Sequence, residues 1–128
     1  MQTAITRGVK VSVETFYQAD YSNPAANEYM FAYRITITNE SEHTIQLLRR
    51  HWFIHDANNE QKEVEGEGVV GQQPILEPGT TYQYISGCNL RTEIGKMYGT
   101  YLMQRLRDGK KFYVTIPMFV LVAGTKLN

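Results

Sequence analysis

The side chains whose types could support metal binding, nucleophilic attack or anion recognition are few in this 128-residue chain: three histidines, one cysteine and the adjacent pair Arg49 and Arg50. His51 and His55 stand four apart, with Asp56 adjoining. A helix would converge two such rings on one ion, but on a strand rising about 3.3 Å per residue they share a face roughly 13 Å apart. The segment does not read as a helix, and neither HExxH spacing nor a cysteine cluster occurs, so no metal site is expected at His43, His51 or His55. Cys88, in Ser86-Gly87-Cys88-Asn89-Leu90, and Ser86 are the candidate nucleophiles. A nucleophile needs a base and a group to orient that base, and nothing in the spacing brings a histidine to either. Cys88 is expected to be a small buried or half-buried residue, and no catalytic residue is expected.

Gly66-Glu67-Gly68-Val69-Val70-Gly71 spells GxGxxG. A dinucleotide site needs those glycines between a buried strand and a helix whose N-terminus meets the pyrophosphate. Here Gln61-Lys62-Glu63-Val64-Glu65 before them is mostly charged, and Pro74 and Pro78 follow where the helix should run, so that mechanism is rejected. Two readings remain. The loop could turn successive N–H groups toward an anion, with Arg50 as charge partner and Glu65 and Glu67 opposing. Alternatively the glycines serve positive φ and close backbone passage. Two arginines inside an apolar strand must pair, stack, or face a ligand or partner. The candidate ligand-contacting residues are therefore Arg50, Gly66, Gly68 and Gly71, for a small phosphate-containing anion, a nucleotide or a partner. Arg105, Arg107, Lys110 and Lys111 with Phe112 and Tyr113 read as a solvated hairpin tip that blunts a sheet edge, not as a nucleic-acid patch.

The elements that would carry these residues are strands. Val9, Val11 and Val13 alternate with polar residues, as do Tyr29, Phe31, Tyr33, Ile35 and Ile37. A third apolar run, Ile45 to about His55, has bulky residues on both parities and is expected to be covered on both faces for part of its length. A short polar strand follows Asn58-Asn59. Pro78-Gly79 suits a type II turn before a strand through Tyr82 and Tyr84. Tyr98 to Leu106 and Phe112 to Ile116 flank an Asp108-Gly109 hairpin turn. No window carries apolar residues at helical spacing over three turns. The class is all-β: an immunoglobulin- or fibronectin type III-like antiparallel β-sandwich of about seven strands, with Trp52 as a core anchor.

Length and charge agree with one soluble domain, residues 1–128. Thirteen basic and thirteen acidic residues balance, so no overall field draws in nucleic acid or an anionic membrane. There is no apolar leader and no run long enough to span a bilayer. The single cysteine suits a reducing cytoplasm, where the chain is expected to act without membrane insertion.

The ordered series Gln46-Leu47-Leu48-Arg49-Arg50-His51-Trp52, then Gly66 to Pro74, Pro78-Gly79 and Ser86-Gly87, resembles the ApaG family. The likeness extends from about Val9, through Tyr29 to Tyr33 and Asn39, to Ile116-Pro117-Met118-Phe119-Val120-Leu121. It implies the same sandwich fold and a non-enzymatic binding module without a cofactor, associated with cobalt and magnesium efflux or resistance, which requires no metal ligand in the chain itself. Similar domains occur in F-box proteins and in a polymerase-delta-interacting protein, which implies a protein partner. The neighbourhood of ApaG genes to a dinucleoside-tetraphosphate hydrolase implies the alternative, a nucleotide or pyrophosphate binder or hydrolase. The family pattern often has a small residue at the place of Arg49 and admits an aromatic at that of His51, so the resemblance favours Arg50.

Overall fold

A computed structural model describes residues 1–124. Nine strands run through them: β1 (Gln2–Thr6), β2 (Val9–Tyr17), β3 (Tyr29–Asn39), β4 (Ile45–Asp56), β5 (Gln61–Glu67), β6 (Ile75–Leu76), β7 (Thr81–Leu90), β8 (Ile94–Arg105) and β9 (Lys111–Val122). Two single-turn 3₁₀ segments, Ala19–Tyr21 and Pro24–Ala26, fill the turn-rich stretch before β3. The strands form an antiparallel sandwich, with one sheet ordered β1-β2-β3-β7 and the other β5-β4-β8-β9, and β6 added on β4.

The alternating strands place their apolar residues as the period of two requires. Val9, Val11, Val13, Phe31, Tyr33, Ile35, Val114 and Ile116 are all buried between the sheets. Two strands exceed the seven expected. β1 forms a hairpin with β2 through Arg7 and Gly8, both at positive φ, as a tight two-residue turn demands. β6 is only two residues long, too short for any periodicity to show.

β4 is not covered on both faces as its sequence suggests. Its buried residues change parity, from Ile45 and Leu47 to Trp52 and Ile54, because the pairing with β8 slips between Leu47 and Arg49. One extra residue in the strand turns the later side chains to the opposite face. A second irregularity falls between Met97 and Gly99 of β8, opposite Pro117 of β9, and such a bulge tolerates a proline. Gly99 is needed there, since a β carbon would stand 2.0 Å from the His51 carbonyl oxygen.

One fully buried polar side chain holds the β3–β4 corner. The Asn39 amide donates to the carbonyls of His43 (2.8 Å) and Leu76 (2.9 Å), while its oxygen accepts from the Ser41 N–H and hydroxyl. With both ends satisfied, Asn39 carries little of the penalty of burying an amide.

Candidate functional site

The glycine loop is a tight reversal. Val69 and Gln72 exchange both backbone hydrogen bonds, at 2.8 and 2.9 Å, around Val70 and Gly71 at positive φ. The Gly68 N–H donates to the Leu48 carbonyl at 2.8 Å. The N–H groups of Gly68, Val69 and Gln72 are thus directed into the fold. Gly68, at φ +65°, packs so closely that a β carbon would stand 2.2 Å from the Gln72 carbonyl oxygen. Val70 is the unusual residue, a β-branched side chain at φ +47° and mostly exposed.

The structure brings Arg50, Gly66 and Gly68 together and sets Gly71 at the tip of the same loop. Arg50 and Gly66 are cross-strand neighbours, and Arg50 Nη1 donates to the carbonyls of Glu67 (2.9 Å) and Gly68 (3.1 Å). Among the described residues Arg50 forms no ion pair with a carboxylate. It lines a cleft of about 340 Å³ with Tyr33, Trp52, Val69, Tyr84 and Ser86. Burial pushes the Tyr33 hydroxyl above its ordinary value, with the Ser86 side chain pulling the other way. Tyr84 is raised further by burial and shares a 2.5 Å hydroxyl contact with Tyr101. Both phenols are therefore neutral hydrogen-bonding groups at neutral pH.

His51 and His55 lie on the outer face of the second sheet, and His43 lies in the turn between β3 and β4. His51 Nε2 is 2.5 Å from a Glu63 oxygen, and its Nδ1 is 3.7 Å from a Glu65 oxygen, so the carboxylates sit at opposite ring nitrogens and do not converge on one point. His55 Nε2 meets the Tyr98 hydroxyl at 2.9 Å, and Phe53 stacks between His51 and Tyr98. The Asp56 carboxylate accepts from the N–H groups of Ala57, Arg91 and Thr92 and from the Thr92 hydroxyl, tying the β7–β8 turn to the end of β4. Cys88 is buried in β7, and burial pushes its thiol up to about 11.

The cleft opens on the side of the sandwich where β7 and β5 are outermost. A second hollow, of about 420 Å³, lies between the end of β7 at Asn89 and Leu90 and the β4–β5 wall at Ile54 and Lys62. Register shows which side chains face it. Gly66, Val64 and Lys62 are directly opposite Arg50, Trp52 and Ile54, so they share the inward face, while Glu67, Glu65 and Glu63 take the outer one. Every β5 residue except Gly66 is exposed, because among the described residues no strand of the first sheet lies over it. Lys62 and Val64 were not evident as site residues from sequence; the available signal was their parity with Gly66, which needs the β4–β5 register to be read.

The architecture is that of an immunoglobulin/fibronectin type III-like β-sandwich with a lateral cleft between its sheets. Residues 19–105 match the ApaG domain family. The chain is 50% identical to Protein ApaG of Brucella suis biovar 1 over 121 residues, 94% of this chain and 92% of the relative. It is 54% identical, with the same coverage, to Protein ApaG of Brucella anthropi. The crystal structure of a putative ApaA protein from Bordetella pertussis superposes with a TM-score of 0.88 at 44% identity, covering 92% of this chain and 95% of that one. A protein from Archaeoglobus fulgidus, at 13% identity and TM-score 0.51, shares the fold alone. The chain belongs to the ApaG family.

Proposed function

We propose that this chain is a non-enzymatic protein-interaction module that presents the β7 edge and its flanking cleft to a partner. The observation that carries the reading is β7 itself. Its ten residues, Thr81–Leu90, contain no charge and no proline, and among the described residues its backbone pairs with β3 alone. A long uncharged edge offers a row of unpaired N–H and C=O groups, the feature that sheet proteins ordinarily protect. The other outer strands are protected: β1 is five residues long, β5 carries Lys62, Glu63, Glu65 and Glu67, and β9 contains Pro117. A buried thiol held protonated supports the non-enzymatic side, because the thiolate is the nucleophile.

On this reading the family's association with cobalt and magnesium efflux or resistance acts through a partner, in a reducing cytoplasm. The test is native affinity capture with mass spectrometry, using the parent chain, Arg50→Ala and Ile85→Lys. Ile85 is exposed on the solvent face of β7, so a lysine there charges the edge without entering the core. A partner retained by the parent and lost from Ile85→Lys supports the module. Equal recovery by all three sinks the β7 edge as the interaction surface.

One observation favours a second reading, a small phosphate-containing anion, nucleotide or pyrophosphate held against Arg50. Among the described residues only Nη1 of that guanidinium has donor contacts, which leaves its remaining N–H groups for a ligand in the cleft. A ligand at a hundred times its Kd adds about 2.7 kcal/mol to the folded state, an easily measured rise in melting temperature. We expect no shift with millimolar pyrophosphate at moderate ionic strength. A rise of several degrees that vanishes in Arg50→Ala would place anion binding ahead of the interaction module.

A further inference from the structure

The sandwich is one strand short on the side of β7. The second sheet continues past β4 to β5, whereas the first stops at β7, so among the described residues the inward face of β5 has no strand above it. Every second residue of an edge strand directs its N–H and C=O away from its neighbour, so β7 can pair with one further strand. Such a strand would lie over β5. Its alternate side chains would point into the trough formed by the two hollows.

The floor of that trough has a pattern. Gly66, Val64 and Lys62 step along β5 two residues at a time, and the Arg50 guanidinium lies over Gly66. The floor therefore presents a cation, an apolar side chain and a second cation, at steps of about 6.6 Å, the repeat of one face of a strand. Neither Arg50 nor Lys62 has a carboxylate partner among the described residues. Asp56, Glu60 and Arg91 line the Lys62 end of the trough and Glu67 lines its Arg50 end, so its borders carry charges of both signs, while the two side chains that register turns onto its floor, Arg50 and Lys62, are both cations. On the reading that the chain is an interaction module, we infer that the trough takes an extended peptide of a partner protein as a fifth strand beside β7. That peptide carries acidic side chains four residues apart, over Arg50 and Lys62, with an apolar side chain midway over Val64. Main-chain pairing gives the affinity and the alternate side chains give the selectivity.

A second copy of the chain fits less well. Pairing two β7 edges about a two-fold axis would bring the β5 strands toward one another, each with Glu63, Glu65 and Glu67 on its outer face against the single cation of Lys62. Like charges brought together oppose such a dimer.

The probe is the capped peptide TETVTET, titrated to millimolar concentration into the ¹⁵N-labelled chain and followed by amide chemical shifts. Shifts are expected in residues 82–90 and 62–66. Binding should weaken about ten-fold in Lys62→Glu, where an attraction across an exposed pair becomes a repulsion, and about as much for the peptide TKTVTKT. Lys62 and Val64 are exposed, so Lys62→Glu and Val64→Glu should keep the parent spectrum elsewhere, and Val64→Glu should also weaken TETVTET. The inference is overturned by shifts that avoid β7, by no shifts at all, or by equal binding of TKTVTKT. Broadening of β7 signals with protein concentration alone would give the trough to a second copy and likewise overturn it. Loss of a captured partner in Ile85→Lys together with failure of the peptide would leave the interaction module standing and remove only the acidic strand as its ligand.

Discussion

The Arg50 guanidinium lies across Gly66, with Nη1 and Nη2 at 3.1 and 3.2 Å from where a β carbon on that glycine would stand. Gly66 therefore provides the floor on which the arginine rests, and the loop carbonyls of Glu67 and Gly68 fix its direction. The side chain that sequence reading singled out for charge is held by the glycines it was grouped with.

Two glycine substitutions should separate sharply. In Gly66→Ala the methyl meets only the far end of a flexible arginine, so stability should change by less than about 1 kcal/mol while Arg50 shifts. In Gly68→Ala the left-handed backbone alone costs about 1–2 kcal/mol, and the clash with the Gln72 carbonyl adds to it. Urea unfolding of both variants measures the difference, and equal losses would contradict the loop geometry.

Trp52 is almost fully buried, with its ring edge-on to Tyr33 at 5.4 Å and to Phe119 at 5.8 Å. Trp52→Ala should cost about 3–5 kcal/mol through lost burial and the cavity left behind. A loss below about 1 kcal/mol in denaturant unfolding would mean that the indole contributes at the surface instead.

Alkaline pH should weaken the fold through Cys88. Burial raises its thiol from 9.0 to about 11, so as pH rises the unfolded chain gives up this proton first. The contribution is intact below about pH 9 and is lost progressively toward about pH 11, amounting to about 2–3 kcal/mol. Cys88→Ala lacks that loss, so the stability gap between parent and variant should narrow between about pH 8 and about pH 11. A gap that stays constant across that range would show the thiol to be solvated.

Cobalt should bind weakly and indifferently to histidine. His51 faces Glu63 and Glu65 through opposite ring nitrogens, and His55 is engaged by Tyr98, so the rings offer no common point for an ion. Calorimetry should show no stoichiometric micromolar site, and His51→Ala and His55→Ala should leave whatever weak binding exists unchanged. A micromolar site lost in either variant would overturn this.

How far the sequence could be read varies by strand. Val9 to Val13 and Tyr29 to Ile37 alternate cleanly because one face of each strand is buried throughout, and the structure buries the expected residues. β4 misleads because the slip after Leu47 transfers the apolar parity from odd to even positions, and residues of both parities then look like a strand covered twice. β6 left no trace at two residues, and Gly99 gave no sign of its role because the His51 carbonyl it accommodates belongs to another strand.

The order of residue types along the chain was enough to determine an all-β sandwich and its main core, because strand periodicity and turn chemistry are local properties, and the series from Gln46 to Gly87 carried the resemblance to the ApaG family. Tertiary structure alone decided where the candidate residues sit. It laid Arg50 over Gly66, turned Lys62 and Val64 inward beside it, and left β7 without an outer neighbour. Those relations depend on cross-strand register and on which strand ends a sheet, and both are set by pairings between segments far apart in the chain.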